Sequence, residues 1–319
     1  RSLLINLLRV GVSGALLAWV LSQAGLERLG EALRGADLRP YAGALLIGLA
    51  GIVLRAWRWK TLLDAVGARL PFGRLVYLYF VGAFFKAFLP TGFGGDVVRV
   101  LEIGAGASSA QAAGATLVDR LTGFIALFAL ALAALPFAGG LLPPALTGLV
   151  GLAGAGVLLG SLLLFEGRLL RRLTAGLERW PITRAFSLAG EGWLARTYGV
   201  ITLAGRVALA RALGIALIFN LSLLAAGGLI AAALHLQAPL AALIVFIPVA
   251  TATLLVPVSI SGLGVREGVY VALFAQVGVA DAPAVAFSLA YYGLDLAAGL
   301  VGGGLYLAAG LLRLRRRQP

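Results

Sequence analysis

No cysteine occurs among the 319 residues, and histidine occurs once. The first absence excludes disulfides, thiolate metal sites and cysteine nucleophiles. A single histidine without cysteine argues against a dedicated zinc site. Methionine is absent too, so the sequence opens without its initiator. No G-x-x-x-x-G-K-[ST] motif is present, which speaks against ATP as a direct energy source. No cofactor or metal is expected. Charge is also scarce, at 12% of residues, where a soluble domain carries about 25%.

What the chain has instead is apolar length: 61% of residues are hydrophobic and mean hydropathy is +1.00. Several runs exceed the roughly 18 residues that read as a spanning helix. They are too continuous for the alternating strands of a membrane barrel. Full crossings are expected at 3–22, 41–59, 112–135, 142–165, 208–233 and 283–311. The first could be taken for a signal peptide, but no small-residue cleavage site follows it and 23–40 is charged, so it reads as a retained helix. Two further stretches, 75–101 and 239–280, are interrupted. The longest polar stretch, 166–206, carries seven arginines with leucines at helical spacing, and it reads as amphipathic helices on the membrane surface.

The net charge is +13, and all but two of the 26 basic residues are arginine. In a soluble protein that would suggest nucleic acid. Here the arginines sit at segment ends, so no nucleic acid partner is expected, and they set orientation instead. Arg55, Arg58, Lys60, Arg69 and Arg74, the 166–206 segment and the tail from Arg313 to Arg317 are assigned to the cytoplasm. Trp57 and Trp59 fall in the cytoplasmic interfacial belt. The connectors 136–144 and 234–239 lack arginine and lysine and face outward, and loop 23–40, with balanced charge, joins them. Both termini are then inside, in an inner, cytoplasmic-type membrane. It follows that 75–101 begins and ends in the cytoplasm, whereas 239–280 begins and ends outside. Each is a hairpin, and the two enter from opposite faces, as in an inverted repeat with broken helices. The expected fold is one all-α polytopic transmembrane domain, 1–319. It has about six full crossings and two oppositely oriented broken or re-entrant hairpins.

The first break reads Phe88-Leu89-Pro90-Thr91-Gly92-Phe93-Gly94-Gly95-Asp96. Proline removes a backbone donor and glycine opens otherwise forbidden conformations. A new helix is expected near Gly95, with Thr91 or Asp96 as cap. By helical rise, Lys86 lies ~18 Å beyond Arg74, near the middle of the membrane. Asp96, Arg99 and Glu102 share one face of the second arm. The second break, from Pro257 through Ser259, Ser261, Gly262 and Gly264 to Arg266-Glu267, repeats the grammar. The crossings that follow the hairpins carry Asp119-Arg120 and Asp295, the latter beside Tyr291 and Tyr292.

Intramembrane charges are rare and costly, at least ~2.5 kcal/mol each, so these residues form the candidate site. Substrate contact is assigned to Lys86, Asp96, Arg99, Asp119, Arg120, Arg266, Glu267 and Asp295. The hairpin tips comprise Pro90, Thr91, Gly92, Gly94, Gly95, Ser259, Ser261, Gly262 and Gly264. For Asp119/Arg120 and Asp96/Arg99, structural neutralisation weighs as much as ligand contact. Lys86 has no acid nearby in sequence and favours function. His235, in an outward connector, reads as incidental.

Four segments carry a resemblance: Arg55–Leu63 (RAWRWKTLL), Phe84–Val100 (FFKAFLPTGFGGDVVRV), Val118–Gly123 (VDRLTG) and Pro257–Tyr270 (PVSISGLGVREGVY). In their residues and order they resemble the lysylphosphatidylglycerol synthase transmembrane-region family, also called the flippase-like domain family. The resemblance implies a lipid translocation module, and similar proteins are associated with polyprenyl-lipid glycosylation. The chain stops at Pro319 with no soluble aminoacyl-transferase domain, so lipid lysinylation by this chain alone is not expected. The favoured expectation is a flippase or scramblase, not an enzyme. Its substrate would be an anionic phospholipid, an aminoacyl-phospholipid or a polyprenyl-phosphate-linked lipid. A membrane-embedded lipid-modifying enzyme and a lipid-binding scaffold of an envelope biosynthesis complex, with an enzyme partner, are the alternatives.

Overall fold

The computed structural model describes residues 2–88, 94–104, 106–138, 143–165, 193–253 and 262–315. Among them the only regular structure is helical. The helices are α1 (Ser2–Ala24), α2 (Leu26–Arg34), α3 (Leu38–Ala65), α4 (Phe72–Phe88), α5 (Gly94–Leu101), α6 (Ser109–Ala134), α7 (Pro144–Phe165), α8 (Trp193–Ala233), α9 (Leu240–Thr253), α10 (Val265–Ala275) and α11 (Asp281–Arg315). A short 3-10 turn, Leu135–Ala138, extends α6.

Four helices, α3, α6, α8 and α11, are long and apolar enough to cross a membrane. α1 and α7, with 23 and 22 residues, match the first and fourth expected crossings. Leu46, Leu152, Leu203, Leu300 and Leu307 are all at least 60% exposed. In water such a belt would be an aggregation surface; in a bilayer it faces the solvent the protein is built for. The chain is a polytopic membrane protein.

Besides a small apolar cluster between α1, α2 and α11, the interior holds two large ones stacked along the long helices. In one, Ala44 of α3, Ala131 of α6 and Ile230 of α8 pack with Phe246 of α9, Phe274 of α10 and Phe287 of α11. In the other, Ile52, Trp59 and Leu62 of α3, Ala115 of α6 and Leu209 of α8 pack with Leu75 and Tyr79 of α4. Helices α9 and α10 therefore occupy one end of the bundle, and α4 and α5 the other. This is the opposed arrangement expected of two hairpins.

The arms of the first hairpin are antiparallel. Arg74 Nη2 donates to the Glu102 carbonyl at 2.5 Å, and Gly82 lies against Gly95 nearer the tip. Leu70 and Gly106 are also neighbours, and Gln111 Nε2 donates to the Val66 carbonyl at 2.8 Å, so the hairpin leaves on the side it entered. α5 has eight residues, hence a length of ~12 Å, far short of the ~30 Å core. It is re-entrant. α10, with 11 residues, is likewise too short to cross, at ~16 Å.

Four local readings change. Loop 23–40 contains α2, whose leucine-spaced LERLGEALR sequence is amphipathic and buries Leu29 against Ala282 and Ala286 of α11. α3 runs on to Ala65, past the expected end of its crossing at 59, so Arg55 and Arg58 lie further inside the helix than expected. Trp57 is exposed as an interfacial residue should be, but Trp59 is fully buried and meets Tyr79 edge-on at 5.8 Å. Within 166–206, the residues up to 192 lie outside the described set. The remainder belongs to α8, whose helix is broken by Gly205 at φ 70°, and Val200 and Ile201 are buried in the second cluster.

Candidate functional site

Charge within the bundle gathers in three places. The first is built where α3, α4, α5 and α6 meet. Arg58 lies seven residues before the end of α3, ~10 Å inside it by helical rise. Its Nε donates to Asp119 Oδ1 of α6 at 2.6 Å, with both side chains buried. The Tyr79 hydroxyl of α4 donates to Asp119 Oδ2 at 2.7 Å. One turn along α6, the missing side chain of Gly123 makes room for the guanidinium, since a Cβ there would lie 3.2 Å from Arg58 Nη1.

The re-entrant arm supplies the rest. Asp96 and Arg99, three apart on α5, are bonded to each other, and Asp96 also accepts from Arg120 of α6. α4 and α5 touch backbone to backbone, because any side chain at Gly95 would strike the Gly82 carbonyl. That close approach carries Arg99 over the Tyr79 ring at 3.9 Å and the Trp59 ring at 5.0 Å. Arg55, one turn before Arg58, lies over Tyr79 at 5.3 Å and Phe219 at 5.6 Å. Four arginines thus surround two aspartates. Arg58 Nη1, Arg99 Nη1 and Trp59 Nε1 are buried without a hydrogen-bond partner among the described residues. All three are donors only.

The second place joins α4 to α11. Lys86 Nζ lies 3.1 Å from Asp295 Oδ2, and both side chains are about half exposed. Asp295 also feels Arg55 and Arg266 through space. Residues flanking both sequence breaks therefore contribute to the electrostatics of one carboxylate.

The third place opens α10. Arg266 Nη2 donates to Glu267 Oε1 at 2.7 Å, and its Nε donates to Ser288 Oγ at 3.1 Å. Ser288 Oγ donates to Glu267 Oε1 at 3.0 Å, and the Gly264 N–H donates to Glu267 Oε2 at 2.6 Å. The Tyr292 ring lies 4.7 Å from the Arg266 guanidinium. Arg266, Glu267 and Ser288 are buried, and the network satisfies itself.

The sequence-based candidates distribute as follows. Asp96, Arg99, Asp119 and Arg120 share the first place, Lys86 and Asp295 the second, and Arg266 and Glu267 the third. Asp119 bonds Arg58 and Tyr79, not its neighbour Arg120. Asp96 holds two arginines and makes no capping bond among the described residues. Glu102 turns to Arg74, 3.8 Å away at the hairpin mouth. Gly94 and Gly95 are buried. Gly262 and Gly264 have φ of 78° and 82°, a region glycine enters freely. A Cβ on Gly264 would also lie 2.5 Å from Leu16 Cβ, so α1 crosses tightly over the second hairpin. Pro90, Thr91, Gly92, Ser259 and Ser261 lie outside the described residues. Sequence reasoning missed Arg55, Arg58, Trp59, Tyr79 and Ser288. The signal for the first three was the RAWRWK run, whose Arg-x-x-Arg spacing continues the helix. No group of three metal-ligating side chains occurs among the described residues.

No curated protein matches the chain. The family model described as "Lysylphosphatidylglycerol synthase TM region" matches residues 6–303. That span holds both hairpins and all three charged places. The chain belongs to the lysylphosphatidylglycerol synthase transmembrane-region family.

Proposed function

We propose that this protein binds the headgroup of an anionic lipid at the arginine cluster and moves that lipid across the cytoplasmic membrane without altering it. One observation carries the reading: Arg55, Arg58, Arg99 and Arg120 converge on Asp96 and Asp119 inside an apolar bundle. Buried charge is tolerated when paired and expensive when not, and among the described residues cations outnumber anions at a point reached by a re-entrant arm. Such broken helices are a recurrent way to build a substrate site at membrane depth. The family match supports a membrane lipid as the partner. Arginine asymmetry supports an orientation in which the mouth of the first hairpin, at Arg74 and Glu102, is cytoplasmic. The lipid headgroup then enters from the cytoplasmic leaflet, and the Lys86–Asp295 pair stands on its way toward the second hairpin.

Reconstitution into liposomes with a fluorescent anionic phospholipid tests this, with transbilayer movement and lipid mass followed together. Movement of unchanged lipid, lost in Arg99→Gln, is the expected result. A change of lipid mass indicts a membrane-embedded enzyme, and absence of both movement and chemistry leaves a scaffold.

A further inference from the structure

We infer that the headgroup taken by the arginine cluster is a dianionic phosphate monoester, the free terminal phosphate of a lipid, in preference to a phosphodiester. The inference rests on the reading of the cluster as a headgroup site and adds the charge and valence of the ligand.

Charge comes first. Lys86 and Asp295, Arg266 and Glu267, and Arg74 and Glu102 are each one cation with one anion. At the cluster, four arginines face two aspartates among the described residues, so these six side chains carry a net charge of two positive. Arg58 and Arg99, both buried, are close enough to act on each other as like charges. In a medium of low dielectric that arrangement calls for a counter-charge of two. A phosphodiester brings one negative charge. A phosphate monoester brings about 1.5 to 2 at neutral pH, on three non-ester oxygens.

Donor count agrees. Arg58 Nη1, Arg99 Nη1 and Trp59 Nε1 are the buried side-chain N–H groups without an acceptor among the described residues. All three belong to this cluster, and three acceptor oxygens match them. The Arg99 guanidinium packs against the edge-to-face Tyr79 and Trp59 pair, 3.9 Å and 5.0 Å from the two ring centroids. Its donors are therefore held in place before the ligand arrives.

The outer flank favours a lipid over free phosphate. On the arm that carries Asp96 and Arg99, Val97 and Leu101 are 53% and 73% exposed. Arg55 and Arg120 are only partly buried. A phosphate held by the arginines would have its ester oxygen beside apolar surface suited to an acyl or prenyl chain.

The test uses the full chain in nanodiscs of neutral phospholipid. Binding of phosphatidic acid is compared with that of phosphatidylglycerol of the same acyl chains, and with inorganic phosphate as competitor, at pH 7.5 and pH 5. Phosphatidic acid should bind at least tenfold tighter at pH 7.5. The gap should close at pH 5, where the monoester keeps about one charge. Besides its arginines the cluster contains Tyr79, Asp96 and Asp119. Phosphatidylglycerol reports any titration of these, because its own charge does not change over this range. Arg55→Gln, which breaks no ion pair among the described residues, should remove most of the preference. If that variant fails to fold, the pH comparison on the native chain decides alone. Equal or tighter binding of phosphatidylglycerol overturns the inference and leaves the headgroup reading standing. Displacement by millimolar inorganic phosphate overturns the lipid source. Binding of no anionic lipid above the neutral background removes both readings.

Discussion

The two sequence breaks use one grammar, proline followed by spaced glycines and a charged helix opening, yet they build opposite electrostatics. At the second, Glu267 is encircled by Arg266, Ser288 and the Gly264 N–H, and every charge has an answer within hydrogen-bond reach. At the first, Asp96 is shared by two arginines, Asp119 holds a third, and a fourth rests on aromatic rings. A closed network rigidifies and specifies a fold. Among the described residues the first network has more cations than anions and buried donors without acceptors, the features an anion site would use.

The largest effect that could break this comparison is expected from Glu267→Gln. It leaves the Arg266 charge buried without a counter-ion, and the loss should be about 3–5 kcal/mol. Thermal unfolding in detergent should show a collapse of stability that anionic lipid does not repair. An unchanged melting curve would mean that the second hairpin is not held by its charges. Asp119→Asn strips Arg58 of its buried partner and should cost about 3 kcal/mol in neutral detergent. Here anionic lipid should restore most of the loss, because a phosphate can take the carboxylate's place. A lack of rescue would make the two hairpins alike after all. Arg99→Gln leaves Asp96 with Arg120, so folding should be nearly preserved while headgroup binding falls at least tenfold, about 1.4 kcal/mol. Retained binding in that variant would confine Arg99 to a structural part. Lys86→Gln breaks a half-exposed pair and should cost less stability than Asp119→Asn. Its effect should appear in the rate of lipid movement rather than in affinity, and an unaltered rate would detach the α4–α11 tie from transport.

Much of this was legible in the sequence. The crossings, the two interrupted stretches and the charges on the hairpins and the helices after them follow from hydropathy and from the rarity of charge in lipid, but the buried charge is not confined there, since Arg55 and Arg58 of α3 join it. The Asp96–Arg99 pair was legible too, because residues three apart share a helix face. The same rule explains why Asp119 and Arg120 do not bond: adjacent helical residues point apart, and each must find a partner elsewhere. Arg266 and Glu267 are adjacent and do bond, because they lie in the first turn and Glu267 folds back to Gly264. Arg58 was hidden by a different rule. Arginine near the end of an apolar run reads as an interfacial anchor, and only the further continuation of α3 to Ala65 buries it. The partner of Lys86 lies 209 positions away, a distance over which no local pattern carries information. α2 was obscured by its balanced charge, which suggested a loop although its leucine spacing is helical.

The glycines of α11 that face α4 have a mechanical consequence. Side chains at Gly299, Gly302 and Gly303 would meet Ala87 or the Ala83 carbonyl, the Phe80 carbonyl and the Phe84 ring respectively. The two helices therefore lie nearly bare against each other, as small residues permit in membranes. Interlocked side chains act like gear teeth and set the position of one helix along another. A bare contact behaves as a rail: it resists separation, but offers little resistance to travel along its length. On such a rail the Lys86–Asp295 pair and the Phe85–Tyr306 edge contact at 5.4 Å act as pins. Any travel of the first hairpin along α11 would have to break those two contacts.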